Sequence, residues 1–147
     1  MIRTLLFAAG LAATLPMLSA IPALAADTPA LVQPEALSWG PAPNMPDGAQ
    51  IAVLYGDPSK TGPFAIRLKF PAGYEVPTHS HPTDELITIL SGKALMSFGE
   101  NSNKAEAQAM GPGTFMNLPA GALHHLWVED ESVVELHSTG PFDTHLN

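Results

Sequence analysis

Glycines, histidines and one glutamate recur at fixed offsets in two stretches of the chain: Gly73, His79, His81, Glu85 and Gly92, then Gly113, Pro119, Gly121 and His124. Residues two apart on an extended strand point to the same side, so His79 and His81 can offer two imidazoles to one ion. Pro82, Thr83 and Asp84 read as a turn, after which a β-rich run from Glu85 to Leu90 leads back along the sheet and brings a carboxylate beside the two rings. His124 follows the turn Pro119-Ala120-Gly121, about forty residues further on, at the start of another strand-like run. Only a fold that lays those strands side by side can use all four groups. His79, His81, Glu85 and His124 are thus the candidate ligands of one metal ion.

Further strand-like runs cover Ile51 to Tyr55, Phe64 to Phe70, Lys93 to Phe98, Thr114 to Leu118, Ala122 to Val128 and Ser132 to His137, with turn residues at short intervals. No long stretch there has a helical apolar period. The expectation is an all-β barrel. If the barrel held no metal, three imidazoles beside a carboxylate would each need other partners.

The two stretches resemble the paired motifs of the cupin superfamily. The first motif runs without a gap from Gly73 to Gly92, and the second from Gly113 to His124. Its last position departs, with Val128 where the family usually has asparagine. That asparagine is not normally a ligand, so the departure removes a polar group and leaves the ligand set whole. The resemblance covers about Gln50 to Gly140, and nine fixed positions in two linked motifs make it specific. It implies a double-stranded β-helix, or jelly roll, holding one divalent metal through three histidines and a glutamate. Iron, manganese, nickel, copper and zinc all accept such mixed nitrogen and oxygen ligands.

Four ligands leave one or two positions of a five- or six-coordinate ion open, and an open site can catalyse. The resemblance supplies dioxygenase chemistry as the leading expectation, with Glu85 doubling as a proton acceptor; isomerase, lyase and decarboxylase reactions also occur on such barrels. Fold alone does not choose among them. A non-catalytic binding or sensing module with a structural metal is the competing class, supported by Val128 and by the shortage of a second acid or base. Ile87, Ile89, Leu126 and Val128 share faces with the ligands, and alternate members of Phe64 to Phe70 with Met96 and Phe98 are expected to complete an apolar lining. The ligand expected is therefore small and partly apolar. By the same parity His125 should face away from the metal, and a surface or supporting role is expected for His137 and His145.

The amino terminus has the anatomy of a secretory signal peptide: Arg3, an apolar run from Leu5 to Leu15, and Ala23-Leu24-Ala25 as a cleavage site, giving residues 1–25. The run is too short for a spanning helix. With no cysteine, neither a lipid attachment point nor a disulfide framework is available. A periplasmic or secreted location follows, with no membrane association after cleavage. The remaining 122 residues make one modest domain, with 14 acidic against 5 basic side chains. Such a surface repels nucleic acid. Prolines 29, 34, 41, 43 and 46 mark residues 26–49 as an arm without regular structure, laid along the barrel on Leu31, Leu37 and Trp39. The barrel is placed at 50–140 and a short tail at 141–147. Barrels of this kind commonly pair through sheet edges, so a homodimer is a further expectation.

Overall fold

The computed structural model describes residues 29–146. The expected signal peptide, residues 1–25, lies outside them. Among the described residues there are nine strands: β1 (Gly40–Pro41), β2 (Gln50–Tyr55), β3 (Gly62–Phe70), β4 (Glu75–Ser80), β5 (Glu85–Phe98), β6 (Gln108–Met110), β7 (Phe115–Leu118), β8 (His124–Gly140) and β9 (His145–Leu146). Two single 3-10 turns, Pro34–Ala36 and Lys104–Glu106, are the helical elements. No helix among these residues is long and apolar enough to cross a membrane.

All pairings are antiparallel, and the strands form one curled sheet in which β3, β8, β5 and β7 make one wall while β4, β8, β5 and β6 make the other. The chain is an all-β jelly roll, in agreement with the expectation. Strand β8 joins the walls because its second half pairs with β3 while its first half pairs with β4. Strand β5 runs beside it throughout, and the register slips three times between Ile89 and Ala94.

Here the structure differs from the sequence reading, which breaks β5 at Ser91-Gly92 and β8 between Val128 and Ser132. Both are single bent strands. Gly92 has φ +84°, and a Cβ there would collide with Glu131 O and the Ser132 side chain. The turn-like residues mark a bulged corner, where an extra residue bends the strand without ending its pairing.

The core is built in rows across the walls. Ile66, Leu136, Ile87 and Met116 are consecutive partners on β3, β8, β5 and β7, and Val76, Leu126 and Met96 are partners on β4, β8 and β5. Inward apolar side chains alternate with outward ones that are mostly polar, as one-sided burial requires, with Leu86, Leu90 and Phe115 as exposed apolar exceptions. On the outer face Arg67 pairs with Glu135 at 2.9 Å.

Both flanking segments pack on this barrel. In the arm, β1 adds to β2, Lys69 sits over the Trp39 ring at 4.3 Å, and Ala42 and Met45 pack against the core. Leu31, expected as an anchor, is 85% exposed; the packed part of the arm begins nearer Trp39. At the other end β9 pairs with the end of β4, and Phe142 packs edge-on against Phe64 at 5.3 Å.

Candidate metal centre

The four candidate ligands come from three strand ends at one mouth of the barrel. His79 lies near the end of β4, directly opposite His124 at the start of β8. His81 follows β4 by one residue, and Glu85 opens β5 opposite Leu118. Backbone bonds tie the two motifs together: Gly121 N–H donates to His81 O at 2.8 Å, and Ala120 N–H to Asp84 Oδ1 at 2.8 Å. At the far end Gly73 N–H donates to Val128 O at 2.9 Å, and Val128 N–H to Tyr74 O at 2.8 Å. These last bonds use only main-chain atoms of residue 128, so the clamp survives valine in place of asparagine.

All four side chains are buried. One ring nitrogen from each of His79, His81 and His124 lies within 4.8 Å of the others. Glu85 Oε2 sits 3.4 Å from His81 Nε2 and 3.6 Å from His124 Nε2. Each imidazole is fixed from behind. His79 Nδ1 donates to Pro77 O at 2.7 Å, His81 Nδ1 to Asp143 O at 2.7 Å, and His124 Nδ1 to Ala122 O at 2.9 Å. A carbonyl can only accept, so each Nδ1 carries its proton, and in the neutral ring Nε2 presents a lone pair. Backbone carbonyls in this position orient metal-ligating histidines and raise their basicity.

Burial drives these groups to a common charge state. It lowers His79 to about 3, helped by the neighbouring His124, lowers His81 to about 4, and lowers His124 as well. It raises Glu85 to about 8. Among the described residues Glu85 Oε2 has no hydrogen-bond partner although it is buried. Three neutral imidazole lone pairs and an orphaned carboxyl oxygen therefore share one buried space, an arrangement that a cation satisfies by displacing the carboxyl proton. The donor set fits a divalent transition metal.

Beneath the quartet lies a cavity of about 60 Å³. Ile87, Ile89, Leu126, Leu68, Phe70 and Met96 line it, in line with strand parity, while Val128, expected on the same wall, is buried in the core outside the lining. Phe98, expected in the same lining, is 48% exposed at the end of β5. Sequence reasoning missed eight contributors: Met45 from the arm, Val76 from β4, Met110 from β6, Met116 from β7, Val134 and Leu136 from β8, and Phe142 and Thr144 from the tail. Alternation along β7 could have found Met116. The arm and tail carry no strand pattern that would place their side chains inside.

The other histidines stand apart from the quartet. His125 faces outward, stacked on Trp127 at 3.8 Å and bonded to Glu75 Oε1 at 2.7 Å. His137 and His145 are more than half exposed. Tyr74 donates its hydroxyl to Pro46 O at 2.6 Å, a bond that holds the arm, and Asn117 is exposed on the outer face.

Comparison with known proteins decides the family. The model of the ChrR cupin-like domain matches residues 27–143. The chain belongs to that family. This cupin has no match among curated proteins. Its fold is shared with solved structures of low identity. The polyketide cyclase RemF from Streptomyces resistomycificus superposes with TM-score 0.67 at 13% identity, over 81% of this chain and 85% of that one. The DMSP lyase DddQ from Ruegeria pomeroyi gives 0.61 at 21% identity, over 77% of this chain and 62% of that one. KdgF from Halomonas sp. gives 0.59 at 19% identity, over 77% and 96%.

Proposed function

We propose that this cupin is an exported metalloenzyme in which His79, His81, Glu85 and His124 hold one divalent transition metal and act on a small, partly apolar organic molecule, with dioxygenase-type oxidation as the reaction. The observation that carries the proposal is a group of three backbone-oriented imidazoles above an apolar cavity, with the orphaned Glu85 Oε2 facing two of them, His81 and His124. When bound, the metal supplies a Lewis acid with one or two positions left to an incoming ligand, and iron(II) also supplies reducing electrons. The protein does the rest. The three Nδ1–carbonyl bonds keep the Nε2 lone pairs aimed inward, and the methionine and aliphatic walls exclude water. Glu85 carries the one carboxyl group of the described lining and would serve as the proton acceptor from substrate on loosening from the metal. The sequence features of residues 1–25 support action outside the cytoplasm, in the periplasm or beyond.

A second reading, a non-catalytic binding module with a structural metal, draws support from the lining: outside the quartet, Thr144 is the one polar side chain on the described cavity wall. One experiment separates the two. The protein without residues 1–25 is loaded with iron(II), manganese, nickel, copper or zinc, its metal content is measured, and oxygen consumption is followed with small phenols, diketones and thiols. Turnover lost in His79→Ala and Glu85→Ala supports the enzyme. Stoichiometric metal and ligand binding without turnover under any metal supports the module, and absence of bound metal refutes both.

A further inference from the structure

Among the described residues that line the cavity below the quartet, Thr144 is the one that bears a hydroxyl. No lysine or arginine is among the described residues that line it. On the reading that the quartet holds a divalent metal, two positive charges stand against the one negative charge of Glu85, since the imidazoles are neutral. One positive charge remains uncompensated in an apolar enclosure. A ligand of charge −1 cancels it, a dianion overshoots with no cation to answer it, and a neutral molecule leaves it standing.

Size is limited too. The space is about 60 Å³, room for a small organic group and several times what one water needs. The walls that set this limit include the tail. β9 pairs Ser80 with His145, which puts Thr144 across from His81 on the inward side of the strand pair. Thr144 lines the cavity while its backbone N–H is held by Asp143 Oδ1 at 2.8 Å. Phe142, two residues earlier, stacks on the His81 ring at 4.5 Å and an interplanar angle of 10°. The Phe142 stacking before Asp143 and the pairing of β9 with β4 after it hold the tail on both sides of the carbonyl that orients His81.

We infer that this site selects small monoanions with one charged head and a short apolar body, such as a short-chain carboxylate, enolate or thiolate, and that the Thr144 hydroxyl is the specificity-determining hydrogen-bond donor to the head group. This rests on the metal reading of the quartet. The body lies against the methionine and aliphatic walls, and the tail limits its length.

The test uses the chain lacking residues 1–25 with cobalt(II) as a spectroscopic metal, which separates the two layers of the argument. Cobalt titration comes first, read by the visible spectrum. Failure to bind one cobalt per chain overturns the metal reading and this inference with it. Butanoate, octanoate, malonate and 1-butanol are then titrated into the cobalt protein and followed by the same spectrum and by calorimetry. Butanoate should bind more than about tenfold tighter than octanoate, because overfilling a packed site costs on that scale, and also tighter than malonate and 1-butanol. Thr144→Val should weaken butanoate about fivefold, the worth of one hydrogen bond, with cobalt stoichiometry retained, and Thr144→Ser should restore it. One cobalt per chain combined with equal or tighter binding of octanoate or malonate overturns the inference alone. Unchanged butanoate affinity in Thr144→Val overturns the role of Thr144.

Discussion

His81 Nδ1 donates a hydrogen bond to the carbonyl of Asp143, 62 residues later in the chain, at 2.7 Å. Where His79 and His124 are oriented by carbonyls two residues away, His81 depends on the tail. The tail around Asp143 therefore belongs to the candidate metal centre.

Removal of residues 141–147 should leave the barrel folded and weaken metal binding. Losing a hydrogen-bond partner behind a metal-ligating histidine typically costs about 10- to 100-fold in affinity. Phe142→Ala, which keeps the Asp143 carbonyl but loses the stacking on His81, should give a smaller loss. Competition with a chromophoric chelator measures both, and equal affinity in the truncated and full proteins would refute the dependence.

The adjacent histidines should behave oppositely. His124→Ala removes a member of the buried quartet and should abolish stoichiometric metal binding. His125→Ala removes a ring stacked on Trp127 and bonded to Glu75 on the outer face, and should retain one metal per chain. Elemental analysis of the two variants, prepared side by side, checks the parity of β8.

Without metal, stability should pass through a maximum in mildly acidic solution. Burial lowers His79 to about 3 and His81 to about 4 from the ordinary histidine value of 6.5, so their contribution is complete above about pH 6.5 and is lost as pH falls towards those values. Glu85 has the opposite sign. Raised by burial from 4.5 to about 8, its contribution is complete below about pH 4.5 and is lost as pH rises through about 8. Thermal melts of chelator-treated protein between about pH 4 and pH 9 should show both arms. Glu85→Gln should lose the alkaline arm and melt above the metal-free parent at about pH 8, while failing to gain stability from added metal.

Gly92→Ala should destabilise the fold by more than about 2 kcal/mol, through left-handed strain together with backbone collision. The residue has φ +84° and faces Glu131 O and Ser132 across the corner of β8. Gly113→Ala shares the strain, at φ +87°, but meets nothing within 4 Å, so it should cost less. Denaturant unfolding of the two variants measures the difference.

The spacing of His79, His81, Glu85 and His124 made the candidate ligands legible in the sequence, because a strand's two-residue period and the turns on either side constrain where such side chains can point. The same alternation placed Ile87, Ile89, Leu126 and Met96 inside and His125 outside. At Ser91-Gly92 the sequence misled, since glycine chemistry is the same for a turn that ends a strand and for a bulge that bends one. Only pairing with β8 distinguishes the two.

By itself the sequence determined the local quantities: which residues alternate, where the backbone can turn, and which donors come within a few residues of one another. The tertiary structure alone decided what closes the site. Met45, Phe142, Thr144 and the Asp143 carbonyl reach the centre from segments with no periodic pattern, and their positions follow from long-range packing and the pairing of β9 with β4. Local preferences fix a strand's faces, but contacts between distant segments depend on how the whole sheet curls, which no short window of residues encodes.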